Sequence, residues 1–433
     1  MEQYAQMKES GVAWIQDIPS NWGIRVLFQL ADQVKNKNKD LAERNLLSLS
    51  YGRIKRKNID SPEGLLPESF DGYNIIEADD IVLRLTDLQN DHTSLRVGQA
   101  TERGIITSAY TTLRPSGLVN PQYLYYVLHA YDLIKGFYGM GSGVRQGLNY
   151  DEVKTIKIPF PPSAVQSSIV RYLDAQISQI DSIIEEAKKT TEEYKQWKFT
   201  TILELVTKGL HSNVPLRASN VEWMGDIPES WSTIRFTKGN WIRARLGWKG
   251  LKAEEYIEIG YPFLSAFNIV DNNLCWTPLN YINEERFEES PEIKLHIGDI
   301  LLVKDGAGIG KCARIDGLPL GDATVNSSLA VITPTKEVEY RYEHYYLQSP
   351  LFANIIARLR NGMGVPHLTQ EAMKEIRMPL PPICEQVEIA NYLDGRISEI
   401  NALIREKEAL VDDLERYKRS LIYEAVTGKR KVV

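Results

Sequence analysis

The segment DGAGIGKC at residues 305–312 is the part of the sequence that most resembles a phosphate-binding loop. Such a loop needs Gly at its first position and Ser or Thr directly after the Lys. Here Asp305 stands first and Cys312 follows Lys311, so both requirements fail. The glycine spacing does not fit a dinucleotide fingerprint either. The segment is better interpreted as a tight hairpin between the strand-like runs ILLV and CARI.

Two proline-rich segments, IPFPP at 158–162 and MPLPP at 378–382, resemble the proline pair of amino-methyltransferase motifs. Neither carries the Asn, Asp or Ser that would hold a target amine, and no glycine-rich methyl-donor loop accompanies them. The six histidines form no HxxxH or HxH pair, and the three cysteines lie far apart. A metal site therefore has weak support. We expect no catalytic centre and no bound metal.

Basic residues interleaved with aromatic residues mark two stretches that could contact nucleic acid. Residues 233–252 contain six Lys or Arg, two Trp and no acid, and residues 51–57 hold four basic residues beside a Tyr. Such side chains suit phosphate contacts combined with base stacking or groove entry. The alternative is a solvated basic face that acids balance elsewhere. The candidate DNA-binding residues from these stretches, with the hairpin cation, are Tyr51, Arg53, Lys55, Arg56, Lys57, Arg243, Arg245, Trp248, Lys249 and Lys311.

Composition limits the possible classes of protein. The chain has 433 residues, 43% hydrophobic and 25% charged, as in an ordinary globular protein. No run approaches the ~18 apolar residues of a membrane span, and isolated cysteines are typical of a reduced compartment. We therefore expect a cytoplasmic protein. Because the formal net charge is −6, any DNA-binding surface must be local.

The basic stretches lie within an internal repeat. WIQDIPSNW at 14–22 returns as WMGDIPESW at 223–231, and IPFPPSAVQSSIVRYLD at 158–174 returns as MPLPPICEQVEIANYLD at 378–394. We interpret the chain as a tandem duplication with units of roughly 1–210 and 211–433. The four Trp residues of the first motif are better explained as packing anchors than as DNA contacts.

Each unit ends in a segment that predicts a long helix. Apolar residues alternate by three and four over about six heptads, which indicates a coiled-coil seam. Pro pairs precede both segments, and Gly209 and Gly428 follow them, so each helix should span about 45 residues. Two separate amphipathic helices are the alternative to a coiled coil. The predicted core residues are Ile169, Leu173, Ile177, Ile180, Ile184, Tyr194, Ile389, Leu393, Ile397, Ile400, Ile404 and Leu414. Lys198 and Lys407 interrupt the seam.

The middles of the two units, about 23–157 and 232–377, differ in sequence and in length. Short β-branched or aromatic runs alternate there with Gly, Asn and Asp, which predicts strands and turns. A short helical stretch, a glycine-rich loop and the proline hinge follow in both middles. The sequence thus predicts an α+β protein in which one β-rich fold occurs twice.

The combination of WxxDIPxxW, a variable β-rich region, PxPP with Gln166 or Gln386, and IVxYLD or IAxYLD resembles the DNA-specificity subunits of type I restriction–modification systems. The resemblance covers essentially the whole chain. It implies two target recognition domains that each read half of a split DNA site, and an antiparallel coiled coil that spaces them. It also implies pseudo-twofold symmetry, double-stranded DNA and two methyltransferase subunits as partners, and restriction/translocase subunits reached through the complex. S-adenosylmethionine and ATP would bind only to those partners.

In that family the glycine-rich loop before the hinge lies near DNA. The residues carried over from this resemblance are Ser142, Arg145, Gln146 and Asn149 in the first unit, and Met363 and His367 in the second. Arg145 and Gln146 have the chemistry to read G and A edges, respectively; loop residues that face only water are the alternative.

The predicted organisation has four parts. Residues 1–157 form the first recognition domain with its conserved arm, and 158–210 form the hinge and central helix. Residues 211–377 and 378–433 repeat that order. A coiled-coil scaffold that binds only protein, and an enzyme whose catalytic part lacks a familiar motif, are the competing hypotheses.

Overall fold

The computed structural model describes residues 4–60, 69–91, 93–140, 147–211, 213–244, 251–359, 368 and 370–432. The chain divides into two compact units. Unit 1 comprises residues 1–188 and 409–433, and unit 2 comprises residues 189–408. Within the described residues, every helix is too short or too polar to cross a bilayer.

Nine α-helices occur in the described ranges, and two of them are far longer than the rest. The helices are α1 Pro121–Leu133, α2 Tyr150–Val153, α3 Ser163–Lys208, α4 Phe236–Gly239, α5 Glu284–Glu288, α6 Tyr340–Gln348, α7 Pro350–Leu359, α8 Gln370–Glu375 and α9 Ile383–Val426.

The bounds of α3 and α9 agree with the sequence signals. The helices contain 46 and 44 residues, and each begins directly after a Pro pair, where a missing N–H removes no helical hydrogen bond. Gly209 and Gly428, at or just after the helix ends, both have φ of +74°. A residue with a Cβ would be strained in that left-handed conformation, which explains the glycine at each stop.

Unit 1 is built around a four-stranded antiparallel sheet with the strand order β4-β11-β8-β9. Further pairs are β1–β2, β3–β12, β5–β6 and β7–β10. The strands are β1 Met7–Glu9, β2 Asp17–Pro19, β3 Gly23–Val26, β4 Ala31–Gln33, β5 Leu47–Ser50, β6 Arg53–Arg56, β7 Asn74–Ile76, β8 Ile81–Leu83, β9 Val97–Gln99, β10 Gly104–Ile106, β11 Thr111–Pro115 and β12 Lys157–Phe160.

Unit 2 has a four-stranded sheet of the same form, β16-β24-β21-β22, and a three-stranded sheet, β20-β17-β23. The pairs β13–β14, β15–β25 and β18–β19 complete it. The strands are β13 Leu216–Ala218, β14 Asp226–Pro228, β15 Ser232–Arg235, β16 Asn240–Ala244, β17 Tyr261–Leu264, β18 Ile269–Val270, β19 Asn273–Leu274, β20 Asn280–Ile282, β21 Ile300–Val303, β22 Cys312–Arg314, β23 Thr324–Val325, β24 Leu329–Pro334 and β25 Arg377–Leu380. The predicted hairpin at 305–312 is confirmed, because it joins the antiparallel strands β21 and β22.

In unit 1, the first half of α3 packs against the last part of α9. Lys188 Nζ lies 3.7 Å from Glu415 Oε1, and Lys418 Nζ donates to Asp181 Oδ1. Residue numbers rise on one helix as they fall on the other, so these segments are antiparallel. Apolar residues of both helices belong to the hydrophobic core of unit 1.

In unit 2, the contacts have the same form. Lys195 Nζ lies 3.8 Å from Glu408 Oε1, and Lys198 Nζ donates to Asn401 Oδ1 over 2.9 Å. The predicted seam residues lie inside the two cores: eight are buried, and Ile177, Tyr194, Ile404 and Leu414 are partly buried. Lys198 is accommodated because its ammonium group reaches the amide of Asn401, while Lys407 is half-buried.

The two arms that carry the repeated WxxDIPxxW motif pack as predicted for anchors. Trp22 and Trp231 are each only 1% exposed, and Trp14 and Trp223 are partly buried against the same cores. In unit 2 the indole N–H of Trp231 donates to Glu385 Oε2 over 2.9 Å.

The division into units differs from the sequential organisation predicted from sequence. Residues 409–433 belong to unit 1, although they are the last part of the second repeat along the chain. The apolar stripe on each half of α3 is covered by the part of α9 that runs past it, and packing rather than chain order therefore defines the units.

Candidate nucleic-acid interface

One edge of the four-stranded sheet in unit 1 gathers the ends of several strands. The N–H of Val34, directly after β4, donates to Thr112 O over 2.8 Å, and the N–H of Arg84, directly after β8, donates to Arg96 O over 2.9 Å. The N–H of Leu148 donates to Leu85 O over 2.8 Å, so the chain leaving the glycine-rich loop runs onto this edge. We call it the loop edge of unit 1.

Unit 2 has a loop edge with the same construction. The N–H of Lys304, directly after β21, donates to Ser328 O over 3.0 Å, and the N–H of Leu368 donates to Lys304 O over 2.9 Å. Lys311, which precedes β22, is exposed at this edge. Since Ala244 pairs with Ala330 at the start of β24, β16 also ends at this edge.

Loop edges of this kind suit a site that must vary. The strands fix the positions where the loops begin, while the loop side chains can change without disturbing the sheet. Half of the predicted DNA-binding residues lie outside the described residues: Ser142, Arg145, Gln146, Arg245, Trp248, Lys249, Met363 and His367. Asn149 is exposed, and its side-chain oxygen caps α2 by accepting from the N–H groups of Asp151 and Glu152.

The basic side chains of the β5–β6 hairpin in unit 1 differ in their contacts. Tyr51 at its tip is 78% exposed, and Arg53 Nη2 lies 3.5 Å from Asp181 Oδ2 on α3. Arg56 is paired with Glu102, whereas Lys55 and Lys57 are exposed. Arg53 and Arg56 are thus partly neutralised, and the two lysines are the freest positive charges of the hairpin to meet phosphate.

Arg243 is not available as a DNA contact, and the sequence-based assignment of this residue is corrected. Its side chain is 3% exposed, its Nη2 lies 2.9 Å from Asp299 Oδ1, and its Nη1 donates to the carbonyls of Glu292 and Lys294. Arg243 lies on β16 with its side chain turned into the unit, because the buried Asp299 carboxylate requires a cation.

Unit 1 contains an equivalent buried carboxylate that pairs with an arginine from another strand. Asp80 occupies the corresponding turn before β8, and it binds Arg114 of β11 through contacts of 2.9 and 2.7 Å. The Arg114 side chain is 47% exposed. A buried Asp before the third strand of the sheet is therefore common to both units, while the arginine that pairs with it comes from different strands.

A set of hydrogen bonds that the sequence did not reveal ties the β-rich part of each unit to its long helix. In unit 1, the Gln166 side chain accepts from Asn120 N–H over 2.9 Å and donates to Pro161 O over 2.9 Å. In unit 2, Gln386 accepts from Glu339 N–H over 2.8 Å and donates to Pro381 O over 2.9 Å. This explains why Gln recurs after each proline hinge.

Buried tyrosines reinforce this attachment. Tyr123 donates its hydroxyl to Pro159 O, and Tyr342 does the same to Pro379 O. Tyr126 and Tyr345 donate to Asp174 and Asp394 of the long helices. Aligning YLYYVL with YEHYYL at the helix starts would have shown that these tyrosines recur, but the two middles are too different for the match to stand out.

Unit 2 also contains a buried carboxyl group beneath its sheet. Glu343 is 0% exposed, Asn240 donates to its Oε1, and its Oε2 has no hydrogen-bond partner among the described residues. Burial raises the pKa of Glu343 to about 8, because the charged form loses its hydration. Glu343 is therefore protonated in the folded protein at neutral pH.

Replacing Glu343 by Gln should remove a pH dependence of stability. Since the folded-state pKa lies above the unfolded value of 4.5, this group stabilises the fold fully below pH 4.5 and loses that contribution as the pH rises to about 8. Across this window, the free energy of unfolding of Glu343→Gln should rise relative to that of the parent by up to about 4 kcal/mol, since one pKa unit corresponds to about 1.4 kcal/mol. Urea denaturation at several pH values measures the difference.

Glu343→Ala provides the control for this measurement. It removes the carboxyl group that accepts from Asn240 and should lower stability at every pH. Like Glu343→Gln, it should lack the pH dependence that the parent owes to Glu343. A difference between Glu343→Gln and the parent that stays constant between pH 5 and 8 would contradict a protonated Glu343.

Comparison with known proteins identifies relatives along most of the chain. A family model described as "Type I restriction modification DNA specificity domain" matches residues 100–192 and 247–412, which is more than half of the chain. The type I restriction enzyme MjaVIII specificity subunit of Methanocaldococcus jannaschii is 25% identical over 76% of this chain and 75% of its own length. The putative type I restriction enzyme MjaX specificity subunit of the same organism is 24% identical over 96% of both chains.

A solved structure described as the basis of complex assembly and conformational transition of the type I R-M system has a similar fold. It aligns with a TM-score of 0.70 and 16% identity over 94% of this chain and 98% of its own.

Proposed function

The chain belongs to the DNA specificity subunits of type I restriction–modification systems, and we propose that its two recognition regions each read one half of a bipartite DNA target. The observation that carries this proposal is the loop edge, which occurs in both units with an equivalent backbone hydrogen bond, from Leu148 N–H to Leu85 O and from Leu368 N–H to Lys304 O, and with different side chains. Two half-sites of different sequence can be read by the same backbone framework only if the side chains on it differ.

Positive charge supports the assignment of these surfaces. Lys311 is exposed on the loop edge of unit 2, and Lys55 and Lys57 are exposed on unit 1. Lysines at such positions contact phosphates and set affinity, whereas side chains that enter the grooves set specificity. Arg145 and Gln146 keep their proposed roles as readers of guanine and adenine edges.

The two long helices, whose sequences repeat within the chain, would serve as the frame of the subunit. We assign them as an antiparallel coiled coil with pseudo-twofold symmetry, which sets the spacer between the half-sites and docks two methyltransferase subunits. The antiparallel contacts within each unit and the matching bonds of Gln166 and Gln386 support this assignment. Identical anchors on both recognition regions suit two copies of one partner.

The proposed role is non-catalytic. Methyl transfer and cleavage would be performed by the methyltransferase and restriction subunits, which would bind S-adenosylmethionine and ATP. The contribution of this chain would be to place those activities at a chosen DNA sequence.

A DNA-binding titration with Lys311→Ala tests the loop edge. The variant, assembled with the methyltransferase subunits, should bind all sequences more weakly. The slope of log affinity against log salt should flatten by about 0.9, the value for one lost phosphate contact. Fluorescence anisotropy at several salt concentrations measures both effects.

Lys189→Ala is the matched control, because Lys189 lies on α3 with a side chain that is 78% exposed. It should leave the slope unchanged. Equal slopes for Lys311→Ala and the parent would show that the loop edge of unit 2 is not part of the DNA-binding surface. Failure of the parent to bind DNA with or without its partners would favour a scaffold that binds only protein.

A further inference from the structure

Four charged residues in the middle of the long helices are related by the internal repeat. Adding 220 to Lys188 gives Glu408, and adding 220 to Lys195 gives Glu415. The repeat copies therefore carry opposite charges at both positions. In the structure Lys188 lies 3.7 Å from Glu415, and Lys195 lies 3.8 Å from Glu408. Each contact joins one helix of the first repeat to one helix of the second.

These opposite charges would no longer face each other if like helices paired, that is, α3 with α3 and α9 with α9 of two chains. Because the two helices share one seam, the α3 helices of two chains could align in the same antiparallel register, as in a domain-swapped dimer. Lys188 would then face Lys195 twice. Two α9 helices would likewise bring Glu408 to Glu415 twice. Every attractive contact of the observed pairing becomes a repulsive one.

The neighbouring polar contacts do not discriminate in this way. Asp181 pairs with Lys418 in unit 1, and their repeat equivalents, Asn401 and Lys198, pair in unit 2. Two α3 helices would still bring Asp181 to Lys198, and two α9 helices would bring Asn401 to Lys418. Discrimination between the pairings thus depends on the charges at 188, 195, 408 and 415.

We propose that these four charges select the partner of each long helix, so that α3 pairs with α9 of the same chain and a second copy of the chain is rejected. Charged residues beside a coiled-coil seam commonly choose partners in this manner, by repulsion as well as attraction. Lys195 also lies 3.0 Å from Glu192 of its own helix, which weakens the repulsion between α3 helices more than that between α9 helices. The inference does not depend on DNA recognition.

Two double variants of the full chain separate the effects. Lys188→Glu with Glu415→Lys exchanges the charges of one contact, so both contacts within a chain stay attractive while like pairing becomes attractive too. Lys195→Glu with Glu415→Lys makes both contacts within a chain repulsive and like pairing attractive. Reversing all four charges restores the original preference and serves as the control.

The measurement is the dimer fraction after dilution from denaturant at several protein concentrations, by sedimentation velocity. We expect the parent and the four-fold reversal to stay monomeric. The first variant should dimerise measurably, and the second should show a dimer dissociation constant at least about tenfold lower than that of the parent. The differences should vanish near 1 M salt, where the Debye length is about 3 Å.

Asp181→Asn is a further control, because it removes a cross-helix ion pair without changing the discrimination, and it should stay monomeric. If neither double variant dimerises more than the parent at low salt, the proposal is wrong. It is equally wrong if the four-fold reversal dimerises as strongly as the double variants. The first variant keeps both attractive contacts within the chain, so its fold should not be weakened. Its dimerisation therefore cannot be attributed to loss of the contacts within the chain.

Discussion

Replacing Arg243 by Ala should lower the free energy of unfolding by about 3 to 5 kcal/mol, the usual cost of breaking a buried ion pair by removing one partner. The side chains of Arg243 and Asp299 are 3% and 0% exposed. Without the guanidinium group, the Asp299 carboxylate would lose its cation and keep only the hydrogen bonds from His296 N–H and the Thr333 hydroxyl. The carbonyls of Glu292 and Lys294 would lose the donor that Arg243 provides. Urea denaturation of the full chain measures the loss.

Two further variants make this result specific. Arg114→Ala removes the corresponding pair in unit 1, where the arginine side chain is 47% exposed, and it should cost less. The double variant Arg243→Met with Asp299→Leu removes both charges together and should recover much of the loss. A cost below about 1 kcal/mol for Arg243→Ala, in the range of ordinary surface substitutions, would show that the pair does not support the sheet.

The helices and the repeat could be read from the sequence because their signals are local. A heptad seam, a Pro pair before it and a Gly after it determine where a helix begins and ends, and α3 and α9 agree with those signals. The hairpin at 305–312 was likewise predictable, because a glycine-rich stretch between two apolar runs leaves few other conformations.

The role of Arg243 could not be read in the same way. Its neighbours along the chain are basic and aromatic, which suggested a DNA-binding face, but its partner Asp299 lies 56 residues further on. Which face of β16 is buried depends on the register with β24. The buried Glu343 was hidden for the same reason, since a helix such as α6 does not reveal which of its polar residues lies beneath a sheet.

Each recognition region should read its own half of the target, and exchange of the regions within this chain tests whether they do so independently. The β3–β12 and β15–β25 pairs form the stems of the two regions. Just inside them, Leu27 N–H donates to Ile156 O and Phe236 N–H donates to Ile376 O, both over 2.9 Å. Replacing residues 27–156 by residues 236–376 therefore exchanges equivalent parts and keeps the native stem.

The resulting chain would carry one recognition region twice. Tyr342 within the transferred segment can take the place of Tyr123, and Gln166 can accept from the new helix N-terminus as Gln386 does. Asp181→Asn should accompany the exchange, so that the long helix offers the same residue as Asn401. The reciprocal chain, with residues 27–156 in both places and Asn401→Asp, is the matched control.

The decisive measurement is the methylated motif in genomic DNA modified by each chain together with its methyltransferase subunits. The parent should give two unrelated half-sites around a spacer. The first exchanged chain should give an inverted repeat of one parental half-site, and the reciprocal chain an inverted repeat of the other, with the spacer unchanged. An active exchanged chain that still methylates the parental motif, or one related to neither half-site, would show that the two regions do not read DNA independently.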